Sequence, residues 1–118
     1  MVTMVEEVRF ESAGVPLAGT FLDPGNTRGS ALILTGSGRL DRDSNGARFR
    51  GQINPAIAAA LAARGVASLR YDKRGAGESG GDFFEAGLSE NYADAGAAIG
   101  WLATRASGRP IYAIGHSE

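Results

Sequence analysis

The sequence predicts an α/β fold: an antiparallel hairpin followed by parallel strands joined through crossover helices. Three observations carry this. Two short strand-like segments near the N-terminus flank a Ser12-Ala13-Gly14 turn. Ala31–Leu34 is a short continuous apolar run, the pattern of a strand covered on both faces, and Val66–Tyr71 and Ile111–Ile114 read as two further buried strands. Helix-period sequence separates those runs, and strand–helix alternation builds a sheet with right-handed crossovers.

Each element has its local reason. Val5 to Glu11 alternates, with Val8 and Phe10 on one face, and Val15 to Leu22 returns as its antiparallel partner. Asp23-Pro24-Gly25-Asn26 is turn chemistry that ends the second strand. After the Ala31 run, Gly36 to Gly51 is polar and Gly-containing, a long loop. Asn54 then Pro55 reads as N-cap and first helical position, and Ile57 and Leu61 stack through Ala-rich sequence. Gly65 stands where a helix C-terminus favours a left-handed residue. Residues 72 to 87 form a second Gly-rich loop. Ser89 is placed to cap a helix running to about Arg105, with Tyr92, Ile99 and Leu102 on one face. Gly108-Arg109-Pro110 ends it before the last run.

Length and composition bound the function. The 118 residues suffice for one domain at most, taken as residues 1–118. Hydrophobic residues at 43% and charged residues at 21% are ordinary for a globular chain, which argues against wholesale disorder. A net charge of −1, with eleven scattered Arg and one Lys, gives no electrostatic footprint for nucleic acid or an anionic membrane. The absence of Cys removes thiol nucleophiles, Fe–S clusters and Cys-bearing zinc sites. A single His excludes a multi-His metal site. The start lacks a basic segment followed by an apolar one, and no apolar run approaches a membrane span, so a cytoplasmic location is expected.

Gly115-His116-Ser117-Glu118 directly follows an apolar strand. Gly-x-Ser-x-Gly at a strand end is a nucleophile elbow, a sharp turn that lifts the Ser hydroxyl out of the sheet. Small residues two before and two after the Ser keep that turn free of clashes, and Gly115 supplies the first. Gly77-Glu78-Ser79-Gly80-Gly81 matches the full five-residue pattern. Its context is wrong, since Asp72, Lys73 and Arg74 separate it from its strand and a Gly pair follows where a helix should open; Ser79 reads as a loop hydroxyl. Gly75 to Gly80 also fits G-x-G-x-x-G, with Asp94 downstream. A dinucleotide site needs that acidic residue at the end of a strand, and Asp94 lies in a helical pattern. Asp41-Arg42-Asp43-Ser44-Asn45-Gly46 matches the first half of a calcium loop, but the twelfth position is Gln52. The segment reads instead as a polar surface loop. His116 adjoins Ser117, and neighbouring side chains in a turn diverge, so it is not the base for that Ser.

Taken together, three segments resemble the N-terminal part of an α/β-hydrolase of the serine esterase or serine aminopeptidase type. Gly36-Ser37-Gly38-Arg39-Leu40-Asp41-Arg42-Asp43-Ser44-Asn45 is similar to the Gly-Ser-Gly-Pro-x-Asp-Arg-Asp-Gly-Asn loop of one esterase group, departing at Arg39 and Ser44. Asp72-Lys73-Arg74-Gly75-Ala76-Gly77-Glu78-Ser79 resembles the Asp-x-Arg-Gly-x-Gly-x-Ser loop of this fold. Gly115-His116-Ser117 is the third, and the likeness runs from about residue 5 onward.

The resemblance implies Ser117 as the nucleophile toward an acyl carbonyl. It implies the backbone N–H groups of Glu118 and Ser37, with Gly38 as the near alternative to Ser37, as the oxyanion hole. Asp72 and Arg74 are read as shaping their loop. The triad order of the fold, Ser then Asp or Glu then His, puts the remaining partners past residue 118, so the chain is expected to stop at the elbow with little activity of its own. No cofactor or metal is implied, and the expected partner is a small-molecule acyl substrate, with no nucleic acid and no membrane. The expected reaction is hydrolysis of a carboxylic ester. Two other readings stay open: a non-catalytic remnant of a hydrolase, and a dinucleotide-binding module using the Gly75–Gly80 loop.

Overall fold

Ser12 pairs with Val15 across a two-residue turn. Ala13 and Gly14 both take positive φ there, 50° and 84°, the backbone that matches the natural twist of a hairpin. The flanking strands are β1, Met4–Ser12, and β2, Val15–Asp23. The computed structural model describes residues 3–35, 41–43, 53–82 and 87–115. Beyond β2 the Asp23 carboxylate accepts hydrogen bonds from the Gly25 N–H and the Thr27 hydroxyl, which closes the expected turn.

The remaining elements alternate as the sequence predicts: β3 (Gly29–Leu34), α1 (Ile53–Ala62), β4 (Val66–Tyr71), α2 (Leu88–Ala106) and β5 (Ile111–Gly115). Gly65 takes φ +80° between α1 and β4, and its carbonyl accepts the Arg28 N–H ahead of β3. The strands form one sheet in the order β1-β2-β4-β3-β5. The pairs β1–β2 and β2–β4 are antiparallel, whereas β3 pairs parallel with both β4 and β5.

Alternation divides the sheet into two faces. Leu17, Phe21, Leu32, Leu69 and Tyr71 pack on one face against Ala98 and Leu102 of α2, with Trp101 partly buried at the margin. Leu17, Leu32, Leu69 and Leu102 are fully buried, each contributing about 1.5–3 kcal/mol of transfer free energy. The other face carries Ala18, Thr20, Ser68 and Arg70 and is partly covered by α1, whose Ala58 is buried.

Three local expectations need correction. Helix α2 begins after Gly87, not at Ser89, because the Glu90 side chain reaches back to accept the Gly87 N–H at 2.8 Å. Its buried stripe is Asp94, Ala98, Leu102 and Ala106, while Tyr92 and Ile99 face outward at 69% and 40% exposure. Leu102, two alanines and an ion-paired Asp lie over the sheet, while Tyr92 and Ile99 turn away from it. Strand β5 is not a buried strand: it lies at the sheet edge, and Tyr112 is 56% exposed. Among the described residues no helix is long and apolar enough to cross a membrane.

Candidate active site

Strands β3 and β5 are parallel neighbours, and Leu34 pairs with Gly115. The chain therefore leaves the same edge of the sheet at Thr35 and at Gly115. Ser37 follows Thr35 by two residues, and Ser117 follows Gly115 by two. The two described strand ends are therefore neighbours. Ser37, Gly38, His116, Ser117 and Glu118 themselves lie outside the described residues.

The loop after β4, third in this row of strand ends, is described in full from Asp72 to Asp82. Its centre is the Asp72 carboxylate, 3% exposed. Oδ1 accepts the Arg42 backbone N–H at 2.7 Å and Nε at 3.1 Å. Oδ2 accepts an Arg42 terminal N–H at 2.9 Å and the Glu78 backbone N–H at 2.8 Å. Gly77 passes directly over this carboxylate with φ +52°, and a Cβ there would overlap the Asp72 side chain. Ser79 completes the loop: its hydroxyl donates to the Asp72 carbonyl at 2.7 Å and accepts the Ala18 N–H at 3.0 Å. Ser79 is thus a structural hydroxyl, as its context in the sequence implies. Burial pushes the Asp72 carboxyl up, but the Arg42 side chain and the Glu78 and Arg42 N–H groups together hold it below the usual carboxylate range.

Of the 41–46 segment read as a polar surface loop, residues 44–46 lie outside the described residues, and Arg42 departs from that reading by being buried. Its side chain is only 10% exposed. One terminal nitrogen also donates to Thr20 Oγ1 at 2.9 Å and to Glu7 at 2.5 Å, and the other reaches Glu78 at 2.9 Å. Burial alone would make Arg42 easier to deprotonate, but Asp72 and then Glu7 outweigh it and raise its pKa further. Asn54 is not the N-cap that the sequence suggests: α1 already includes Ile53, and from inside the helix the Asn54 side chain donates to the Arg42 carbonyl at 3.0 Å. Beside this cluster Arg70 Nε donates to Asp43 at 3.1 Å. Among the described residues no group of three or more His, Asp or Glu side chains could hold a metal ion.

Arg74 works on the opposite face. It grips Asp94 of α2 through two hydrogen bonds, at 2.7 and 3.0 Å. Asp94 is 2% exposed, and it raises the Arg74 pKa. Tyr71, next to this pair, has its phenol pushed up to about 12 by burial and then by the Asp94 charge. A cleft of about 200 Å³ opens here, lined in part by Leu34, Thr35, Tyr71, Asn91 and Tyr92. This geometry does not suit a dinucleotide. The Gly-rich loop already holds an anion, its own Asp72, and Asp94 is engaged by Arg74 in mid-helix rather than ending a strand.

Comparison with known proteins decides the family. A model of the serine aminopeptidase family S33 matches residues 50–118, more than half the chain. The chain belongs to that family. Its fold is that of an α/β-hydrolase. The Pyrococcus furiosus esterase Pf2001 superposes with a TM-score of 0.74 at 23% identity, over 95% of this chain and 42% of that one. Est1E from Butyrivibrio proteoclasticus, solved with ferulic acid bound, gives 0.74 at 23% identity over 92% of this chain and 42% of its own. An α/β serine hydrolase without a lid from Xanthomonas campestris gives 0.76 at 17% identity, over 98% and 51%. The chain thus spans about two fifths to one half of the length of these structures. A search of curated proteins finds no match.

Proposed function

We propose that this chain carries the nucleophile and oxyanion-hole segments of a serine-type acyl hydrolase acting on carboxylic esters. One observation supports the reading above the others. The Leu34–Gly115 pairing starts the Ser37 and Ser117 segments from adjacent parallel strand ends, the relation an oxyanion-hole loop and a nucleophile elbow require.

In this reading the Ser117 hydroxyl attacks the acyl carbonyl and passes its proton to a His base supplied elsewhere in the protein. The N–H groups of Ser37 and Glu118 stabilise the tetrahedral oxyanion, each worth about 3 kcal/mol at the transition state. Collapse expels the alcohol and leaves an acyl-enzyme, which water then hydrolyses. The substrate is a small acyl ester, and the chemistry calls on no metal or organic cofactor.

The test is the intact mass of the gene product at its natural length, before and after a fluorophosphonate probe. A single adduct that maps to Ser117, and is lost in Ser117→Ala, is the expected result. An unlabelled protein, or a label that survives Ser117→Ala, overturns the assignment.

A further inference from the structure

We propose that the open edge of β1 pairs with β1 of a second copy of this chain, antiparallel and centred on Val8, so that two sheets join across a two-fold axis. The proposal stands apart from the reading of Ser117.

Strand β1 ends the sheet order, so among the described residues only β2 pairs with it. It is the longer of the two edges, nine residues against five in β5. Its register with β2 runs from Met4–Asp23 to Ser12–Val15 without a bulge. It contains no proline or glycine, so the backbone devices that commonly interrupt an edge strand are missing.

The neighbouring strand shows which main-chain groups of β1 are open. The Ala18 carbonyl accepts the Asp72 N–H, and the Pro16 carbonyl accepts the Gly80 N–H. The Ala18 N–H donates to Ser79 Oγ. Ala18 and Pro16 thus turn their polar groups away from β1. Their partners across the ladder are Arg9 and Glu11, which therefore present N–H and C=O outward. Alternation extends the outward set to Glu7 and Val5. The side chains of these residues share one face of the strand, and all of them are exposed.

A ladder between two copies must match outward groups with outward groups, so the allowed registers differ by steps of two residues. With Val8 on the axis, every residue of Met4–Ser12 pairs. Val5 then faces Glu11 and Glu7 faces Arg9, each twice by symmetry. Among the described residues Arg9 has no ion-pair partner of its own. Glu7 is bonded to Arg42 and Thr20, yet its side chain is 67% exposed and open to a second cation. An axis on Glu7 sets Glu7 against Glu7 and leaves Glu11 and Ser12 unpaired. An axis on Arg9 sets Arg9 against Arg9, Glu7 against Glu11, and leaves Met4 and Val5 unpaired. An axis on Phe10 opposes Arg9 and Glu11 but pairs only Val8–Ser12. Opposite charges across a strand pair stabilise it and like charges destabilise it. Charge on an edge commonly keeps other strands away; on β1 it rejects the neighbouring registers and admits the full-length one.

The test is sedimentation velocity on the natural-length protein over a concentration series at low salt. A monomer–dimer equilibrium is expected, with a Kd that rises with ionic strength. Arg9→Glu turns two cross-strand ion pairs into two repulsions and should raise Kd about thirtyfold. Arg9→Pro removes an outward N–H that β2 does not use, so it should weaken the dimer at least as much while the circular dichroism stays that of the unmodified protein. Arg9→Glu decides alone if the proline is not tolerated. Val8→Cys reads the register, because only this axis sets residue 8 opposite its own copy; mild oxidation should give a reducible dimer that the unmodified protein does not. A protein that stays monomeric throughout the series overturns the proposal. A dimer whose Kd stays within about threefold in the Arg9 variants overturns it too, since the interface then lies elsewhere. A Val8→Cys protein that dimerises without forming the reducible species overturns the Val8-centred pairing.

Discussion

Asp72 and Arg74 stand two residues apart on one loop, and each closes a buried Arg–Asp pair on a different face of the sheet. On the α1 face, Asp72 holds Arg42 and so fixes a loop. On the α2 face, Arg74 holds Asp94 and so fixes a helix. The two pairs also differ in who else is present. Asp72 accepts two backbone N–H groups besides the guanidinium, whereas the described hydrogen bonds of Asp94 come from Arg74 alone. Similar pairs thus do different work: one fixes the main chain and side chain of Arg42, and the other docks an element of the core. Stability and turnover should separate along this line.

The sharpest way to break the comparison is Arg74→Met. It leaves Asp94 buried without its partner, so the expected loss is about 3–5 kcal/mol. Denaturant unfolding checks the number. Because the pair that is lost anchors α2 and leaves the Asp72–Arg42 pair in place, kcat per folded molecule should stay within a few-fold of the unmodified enzyme. A hundredfold fall would show that both pairs serve the site.

Gly77→Ala comes next. The new Cβ must displace the Asp72 carboxylate, and the residue keeps a positive φ. Together these should cost about 3 kcal/mol. Turnover should fall as well, since the carboxylate that holds Arg42 is the group displaced. Unfolding curves and ester kinetics on the same preparation separate the two losses.

How much of this was readable in the chain varies with the range of the interaction. The strands and helices were legible because short apolar runs, Gly65 and the Asp23-Pro24-Gly25 turn act locally. The left-handed Gly65 stands where the helix end called for it, and Val66–Tyr71 is β4 residue for residue. The loop-shaping role of Asp72 and Arg74 was legible from the motif, but their partners were not. Arg42 lies thirty residues from Asp72, and charged side chains are seldom buried unless paired. Nothing local distinguishes a paired Arg in an Asp41-Arg42-Asp43 segment from a solvated one. Helix α2 misled for a related reason: Tyr92 and Ile99 dominate its apolar count, yet the face that fits the sheet is the smaller one through Ala98 and the ion-paired Asp94. For the site, spacing alone would have favoured Ser79, and strand-end context with the family resemblance pointed to Ser117 instead. The neighbouring ends of β3 and β5 add the spatial relation that sequence could not.

A pH series sharpens the comparison from the Asp72 side. The folded-state pKa of Asp72 is lowered, so its pairing stabilises the protein above the unfolded value of about 3.9. That stability is lost as the pH falls through the lower folded value. Asp72→Asn should therefore cost about 2–3 kcal/mol at pH 7, the range for a hydrogen-bonded charge. The gap between the two proteins should narrow as the pH drops below about 4. Denaturant unfolding from pH 7 to pH 3 reads both features. A gap that stays constant to pH 3 would mean that Asp72 is not an ion-paired carboxylate in the folded protein.

The smallest expected effect is the most discriminating for the division of labour. Ser79 touches the same loop but ties it to β2, through the Ala18 N–H and the Asp72 carbonyl, not to the segment that follows β3. Ser79→Ala leaves the buried Ala18 N–H without its acceptor, which should cost about 1–2 kcal/mol. The Asp72 carboxylate keeps all four of its donors from Arg42 and Glu78, so the geometry offered to Arg42 is unchanged. Thermal unfolding should register the substitution, while kcat and KM should not. If kcat falls with Ser79→Ala, the loop cannot be divided into a part that supports the fold and a part that aims the site. Asp72 would then depend on its main-chain tether as much as on its side-chain donors.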